Sequence, residues 1–481
     1  MMKIRKIVSS IPIQTKSAII LVVATFLCKG INIITMPIFT RILTTQEMGT
    51  VTTYTSWYAI LSAVANLSLD SGSFHIAMEE FKEDRMGYIS SIFSLSCLSS
   101  FVVGAIFFFL KSVISVVLGL DNSLIILMII SFFVFPATNF WMMKQRYEYK
   151  YKIIAITTVL SNGISVIFSA VITFYASKWE WIDLAKVRLF SGNIVLIVTG
   201  IFFACIIIKT GKVLYNKKYW KFVFIVNSPL FIHSLSKHIL DVSDKTMISY
   251  IVGKREVGIY GVLYSVSSLS LIIWNAINAS LIPYMFEYLR KKQNNNSLNK
   301  IIVILLSVYG GISIILTLTA PEIVKVLATE EYLEAIYLMP PIAAGIFVTA
   351  LYNIFSNVLL YYKATISIMK ATVTVSVTNI VLNYIFIKQY GYTAASYTTL
   401  FSYSLLAFMQ YLYMCKITVP PFNIKTISLI SLITISFCLF CNLFYKCNTV
   451  RCLIILLMIF IGVIWRKQLL KTLKILKDKR Y

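Results

Sequence analysis

The sequence predicts an all-α integral membrane protein of about fourteen transmembrane helices: two six-helix lobes related as a parallel repeat, plus two extra helices. Three observations carry this. Of 481 residues, 58% are hydrophobic and 13% charged, with mean hydropathy +0.82, whereas soluble domains carry about 25% charged residues. The apolar residues come in long blocks of about 18–25, the length that crosses a bilayer as a helix. A β-barrel would instead show short segments of strict alternation. Finally, the Lys and Arg residues gather in short segments after alternate blocks, as topology signals do.

The expected spans are residues 17–40, 52–70, 89–110, 124–143, 153–175, 186–208, 222–243, 257–285, 300–319, 339–361, 365–387, 394–415, 426–445 and 449–465. Lys144, Arg146, Lys150 and Lys152 follow the fourth. Lys209, Lys212, Lys217, Lys218 and Lys221 follow the sixth. Arg290, Lys291, Lys292 and Lys300 follow the eighth, and Arg466 and Lys467 the last. About 29 basic residues fall on this side and about 12 on the other, which places both termini in the cytoplasm. The opposite loops are less basic and carry Glu322, Glu330, Glu331 and Glu334. A net charge of +25 could suggest nucleic acid, but its placement in short loops assigns it to topology. Every loop is short, so no soluble domain is inserted. Trp57, Trp141, Trp220 and Trp465 sit near span ends, as an interfacial belt requires. Residues 466–481 alternate Leu469, Leu470, Leu473 and Leu476 with Lys467, Lys471, Lys474 and Lys477. They predict an amphipathic helix on an anionic leaflet.

The domain boundaries follow: 1–215 for the first lobe, 216–418 for the second, 419–465 for the two extra spans and 466–481 for the basic tail. The N-terminus lacks the apolar core and small-residue site of a cleaved signal peptide. The eight Cys lie mostly in apolar segments. Cys438 and Cys441 read as packing residues, and Cys447 and Cys452 lie close enough in sequence to bridge an outer loop.

A weak repeat underlies the two lobes. Glu47-Met48-Gly49 precedes the second span and Glu256-Val257-Gly258 the eighth, with Tyr54 and Tyr260 close behind. The offset covers six spans. Six is even, so the copies share an orientation, and a transport path is expected between them.

Polar residues inside spans mark candidate sites. His233, Lys237, Asp241 and Asp244 recur at steps of four, four and three, one helical face. This face either lines a polar cavity or is a helix end with Lys237 and Asp241 as an i,i+4 pair. His238 and Lys245 flank the stripe. Lys29 lies halfway along the first span with Asn32 one turn on. A charge at that depth faces a cavity or pairs with a carboxylate such as Asp241 or Asp244. Arg41 closes the same span, where snorkelling to the interface also accounts for it. So it does for Lys370. Trp274 is mid-span on a face with Tyr260, Tyr264, Ser267, Leu271 and Asn278. It is either a packing residue or an aromatic platform with one N–H donor. Asn353 with Asn357, and Asn379 with Asn383, suit interhelical hydrogen bonds. Asp70, His75, Glu79, Glu80, Lys82, Glu83, Asp84 and Arg85 read as a solvated cytoplasmic cluster. No phosphate-binding loop, nucleophile elbow or zinc-protease motif occurs. His233 and His238 lack a third ligand in view. No enzyme activity, metal or cofactor is expected.

Three stretches resemble the polysaccharide branch of the multidrug/oligosaccharidyl-lipid/polysaccharide (MOP) exporters, the Wzx-type flippases. Met36–Thr50, MPIFTRILTTQEMGT, is similar to the family's Pro-x-x-Thr-Arg ending of the first span and the Glu-x-Gly turn after it. Ser243–Tyr264 resembles its Asp-Lys/Arg pair followed by Val-Gly-Ile/Leu-Tyr. Asn379–Tyr403 resembles its Asn-x-x-Leu-Asn stretch and Tyr-Gly turn, with Thr393 where a second Gly is usual. The resemblance covers nearly the whole chain. It implies a multi-pass plasma-membrane protein that moves undecaprenyl-diphosphate-linked oligosaccharide from the inner to the outer leaflet. Implied partners are membrane lipids, a glycan polymerase and a chain-length regulator. Such a cargo needs cations for the diphosphate, for which Lys29, Arg41 and Lys237 are candidates. It needs polar and aromatic groups for the sugars, for which His233, Tyr260, Tyr264 and Trp274 are candidates. Asp241 and Asp244 are candidates for a coupling proton or Na⁺. Drug or lipid II export and glycan polymerisation are the competing functions; the short loops disfavour the polymerase.

Overall fold

The computed structural model describes residues 13–70, 73–179, 183–291, 296–460 and 462. The basic tail, Trp465 and the N-terminal residues before 13 lie outside them. Among the described residues the chain is helical, with no strand.

The helices are α1 (Ile13–Ile42), α2 (Thr45–Ala65), α3 (Ser73–Glu80), α4 (Arg85–Phe109), α5 (Lys111–Leu118), α6 (Asn122–Tyr147), α7 (Tyr151–Ala176), α8 (Leu184–Gly211), α9 (Lys217–Ile251), α10 (Lys254–Ser267), α11 (Ser270–Arg290), α12 (Ser297–Leu318), α13 (Ala320–Leu327), α14 (Met339–Tyr361), α15 (Thr365–Tyr390), α16 (Ala394–Ile417), α17 (Ile424–Phe440) and α18 (Asn448–Phe460). Eight described helices are long and apolar enough to cross a membrane, and nine if α10 and α11 form one bent span. α1, α2, α9, α16 and α18 occupy the positions expected for the other five. The eighth expected span is not straight: α10 and α11 meet at 43°.

The described chain forms two compact units divided between Val242 and Ser243. The division falls inside α9, later than the expected boundary at 215. The reason lies in the first turns of α9. Tyr219 donates to Asp84 at 2.8 Å, Trp220 to the Ser91 carbonyl at 3.2 Å and Asn227 to the Leu67 carbonyl at 2.7 Å. These bonds bind the start of α9 to the first unit.

In the first unit α6 and α7 both pack on α8, and α1 lies along α7. In the second, α14 and α15 both pack on α16. The packing of α6 and α7 on α8 thus matches that of α14 and α15 on α16, six spans on. α14 is the most enclosed helix: every residue from Met339 to Leu351 is buried. Close approach is built from small residues. At Gly200 of α8 a Cβ would stand 2.6 Å from the Val134 carbonyl oxygen of α6, so only glycine fits.

The repeated Glu-x-Gly segments share a structural position. Glu47 and Glu256 are each the third residue of a helix, α2 and α10. Glu47 closes a capping box with Thr44, accepting from the Thr44 N–H at 2.8 Å while the Thr44 hydroxyl accepts from the Glu47 N–H at 3.2 Å. The second copy caps with Gly253, whose φ of 152° suits glycine. In the second unit Arg451, 4% exposed, donates twice to Glu322 at 2.9 and 2.7 Å and holds α18 to α13. All eight cysteines are free. Cys447 and Cys452 form no bridge, and Cys438 and Cys441 are buried packing groups.

Candidate functional site

The first unit encloses a polar cavity of about 380 Å³, within the range of about 300–1,000 Å³ for small-molecule sites. Its walls come from α2, α6, α7, α8, α9 and the turn after α2. That turn sets the site. α2 ends at Ala65, five residues before the expected span end, and Leu67 and Ser68 take left-handed φ of 53° and 47°. Non-glycine residues seldom adopt this conformation, and it gathers at functional sites. The reversal turns Asn66, Ser68 and Asp70 into the cavity. Asp70 accepts a hydrogen bond from the Asn139 amide of α6 at 2.9 Å. The Asn66 carbonyl accepts from Ser96 at 3.0 Å and Ser100 at 3.2 Å, both on α4. Asn162 of α7, and Ser234 and His238 one turn apart on α9, complete the polar lining. Tyr58 and Phe135 supply aromatic faces, their rings edge-on with centroids 5.7 Å apart.

Asp70 therefore leaves the solvated cluster to which the sequence assigned it. Of the rest of that cluster, Glu79, Glu80, Lys82, Glu83 and Asp84 are exposed and Arg85 is half-buried, while the His75 side chain lies outside the described residues. Glu79 bonds Lys82 at 2.9 Å and accepts from Tyr147, and Asp84 caps α4 through the Gly87 N–H at 2.9 Å. The Tyr147 hydroxyl and Lys82 hold the Glu79 carboxyl below the usual range.

The expected stripe on α9 does not act as one face. Ser234 and His238 line the cavity, Lys237 is exposed, and His233 and Asp241 are half-buried. The His233 Nδ1 is buried with no hydrogen-bond partner among the described residues. Asp244 belongs to the second unit and is 1% exposed. It accepts from the Tyr260 hydroxyl at 2.6 Å and from the Lys245 N–H at 2.8 Å. The Lys245 ammonium sits 3.7 Å from the Tyr264 ring centroid, a cation–π contact. Lys29 is half-buried and Arg41 exposed, both on α1.

Two cavity expectations are corrected. Tyr260 and Trp274 are each 0% exposed, so in this conformation neither faces a cavity. Tyr260 holds Asp244. Trp274 packs on Tyr309 with centroids 5.2 Å apart. A large ring that meets neighbouring helices on all sides packs before it can present a face.

Three of the four paired asparagines, Asn357, Asn379 and Asn383, make interhelical hydrogen bonds. Asn379 accepts from Ser243 at 2.5 Å and from Asn383 at 3.1 Å and donates to Ser402 at 2.9 Å; Thr398 donates to Asn383. Asn357 donates to Asn278 at 2.8 Å. Sequence reasoning missed Asn66, Asn139 and Asn162. A signal existed, since each is a lone amide in an apolar span, but nothing in the spacing says that they converge. Along α15 and α16 of the second unit lies an apolar groove of about 540 Å³, lined by Phe386, Tyr390, Tyr397 and Phe401. Among the described residues no three His, Cys, Asp or Glu group as metal ligands.

A family profile described as polysaccharide biosynthesis protein matches residues 14–289, more than half of the chain. One described as MatE matches residues 229–385. No curated protein matches. Several solved structures share the fold. The lipid II flippase MurJ, in an inward closed conformation, is similar at TM-score 0.64 and 17% identity, over 93% of this chain and 99% of that one. An inward-facing MATE family multidrug resistance transporter is similar at 0.61 and 13%, over 84% and 97%. A MOP superfamily transporter from Pyrococcus furiosus is similar at 0.57 and 12%, over 84% and 95%. The chain, a multi-pass membrane protein with this fold, belongs to the polysaccharide biosynthesis protein family and with it to the MOP exporter superfamily.

Proposed function

We propose that the protein is a flippase that moves undecaprenyl-diphosphate-linked oligosaccharide repeat units, of an O-antigen, capsule or similar polysaccharide, from the cytoplasmic to the outer leaflet of the plasma membrane by alternating access. The observation that carries this is the family match over residues 14–289, a region that contains a cavity of sugar-compatible chemistry. The chain offers the three environments that such a cargo needs. Asparagines, serines and aromatic rings line the cavity in the first unit. The groove on α15 and α16 suits a lipid tail. Lys29, Arg41 and Lys237 are the cations for the diphosphate, and His233 and Tyr264 are further substrate-binding candidates. Moving such a group across hydrocarbon without a cation is prohibitive. Asp241 and Asp244 are the sites for a coupling proton or Na⁺, and no ATP-binding motif competes with that role. A glycan polymerase and a chain-length regulator would consume the product. Fourteen crossings with both termini cytoplasmic complete the reading. Lipid II is the second candidate cargo, because MurJ shares the fold over 93% of the chain.

Purified protein in proteoliposomes tests the proposal. It should carry a fluorescent undecaprenyl-diphosphate oligosaccharide across the bilayer faster than lipid II and leave a cationic drug untouched. Drug transport without glycolipid transport overturns the reading. In cells, Lys237→Ala should abolish surface polysaccharide while Lys237→Arg retains part of it at equal protein level. Recovery in a Lys237→Ala, Asp241→Asn double variant would show that Lys237 only neutralises the aspartate.

A further inference from the structure

The cavity of the first unit has a charge balance that differs from the rest of the chain. The protein carries +25 overall, yet among the described residues no Lys or Arg lines this cavity. Among the described residues its lining holds one carboxylate, Asp70, with His238 and Tyr58 as the other titratable groups. A diphosphate placed here would meet a like charge with no cation to offset it. The cavity is therefore not the phosphate site.

What it presents instead suits a pyranose ring. Asp70 and Asn139, joined at 2.9 Å, set an acceptor and an amide side by side, and each keeps further hydrogen-bonding capacity. Vicinal hydroxyls need such a pair. The Asn162 amide donates to the Thr158 carbonyl at 3.0 Å, which leaves its carbonyl oxygen to accept from a hydroxyl. Phe135, edge-on to Tyr58, gives the lining an apolar surface for the C–H face of a sugar. We infer that this cavity is the saccharide subsite of the protein and that Asp70 makes it select a neutral or amino-bearing pyranose and reject a uronate. The inference rests on the flippase reading for the sugar's presence at the site; the selectivity is its own.

The test uses the full-length protein in nanodiscs and saturation-transfer NMR with four probes: methyl glucoside, methyl glucosaminide, methyl N-acetylglucosaminide and methyl glucuronide. The first three should bind at least about tenfold more tightly than the glucuronide. Asp70→Asn should cut that discrimination to about threefold or less, and Asn139→Asp should widen it and favour the free amine. Thr199→Trp, which fills the cavity from α8, should remove binding of all four. Equal binding of the glucuronide by the wild type overturns the inference. So does an unchanged profile in the folded Asp70→Asn and Thr199→Trp proteins. Stabilisation by Na⁺ alone with no glycoside binding also overturns it and makes the cavity a cation site. Glycolipid translocation is read in parallel. Glycoside selectivity without translocation refutes the flippase reading alone, and translocation without selectivity refutes the subsite alone.

Discussion

Asp70 and Asp244 reach opposite surroundings from similar sequence settings. Asp70 follows a helix that breaks, and it faces an amide-lined cavity. Asp244 lies inside an unbroken helix and is closed off by Tyr260. A carboxylate at 1% exposure depends on every donor it has, because an unmade bond inside the protein costs its full desolvation penalty. Tyr260→Phe removes the hydroxyl that donates at 2.6 Å. It should lower stability in detergent by about 1.5–3 kcal/mol, the worth of a hydrogen bond to a charged group. Adding Asp244→Asn should restore part of the loss. A neutral Tyr260→Phe, measured by thermal unfolding, would mean that the hydroxyl does not support a charged carboxylate. Two of the three expected aromatic site residues, Tyr260 and Trp274, were legible as special in the sequence, but not as buried. Their helical spacing states which residues share a face and says nothing about what that face meets.

Helices carry the next level of specification. Some starts carry their own chemistry: Thr44 with Glu47, Asp84, Asp183 and Asn423 cap α2, α4, α8 and α17 through their side chains. The interruptions do not. The turn after α2 and the 43° bend between α10 and α11 fall within apolar stretches that hydropathy reads as continuous. The first of these breaks is held by a tertiary partner, since the Leu67 carbonyl accepts from Asn227. Helix contacts depend on small residues that hydropathy ignores. Gly200→Ala would drive a Cβ to 2.6 Å from the Val134 carbonyl oxygen, forcing α8 away from α6. Overpacking of this kind costs about 1–3 kcal/mol. The variant should unfold at lower temperature and lose glycoside binding, since both helices wall the cavity. Gly391→Ala tests something different, its φ of 72° with no atom within 4 Å, and should leave the cavity intact. If Gly200→Ala matches the wild type in both measurements, the close approach is not a constraint.

At the scale of the whole molecule the charge pattern makes the strongest claim. The loop asymmetry predicts that reporter fusions after Lys218 and Lys292 report cytoplasm and that one at Glu331 reports the outside. An inverted signal at Glu331 would end the proposed topology and with it the direction of transport. Composition and block length by themselves determined the membrane class and the positions of the helices, because both depend only on transfer of side chains and backbone between water and hydrocarbon; the family was carried by the motifs of Met36–Thr50, Ser243–Tyr264 and Asn379–Tyr403. Which polar residues meet was decided by tertiary structure alone. Asp70, Asn139 and His238 come from a turn and two helices far apart in the chain. They converge because α2 stops early and α9 is bound at its start to the first unit. In an apolar chain the hydrophobic pattern cannot choose one helix face over another, so packing of small residues and a few buried hydrogen bonds makes the choice.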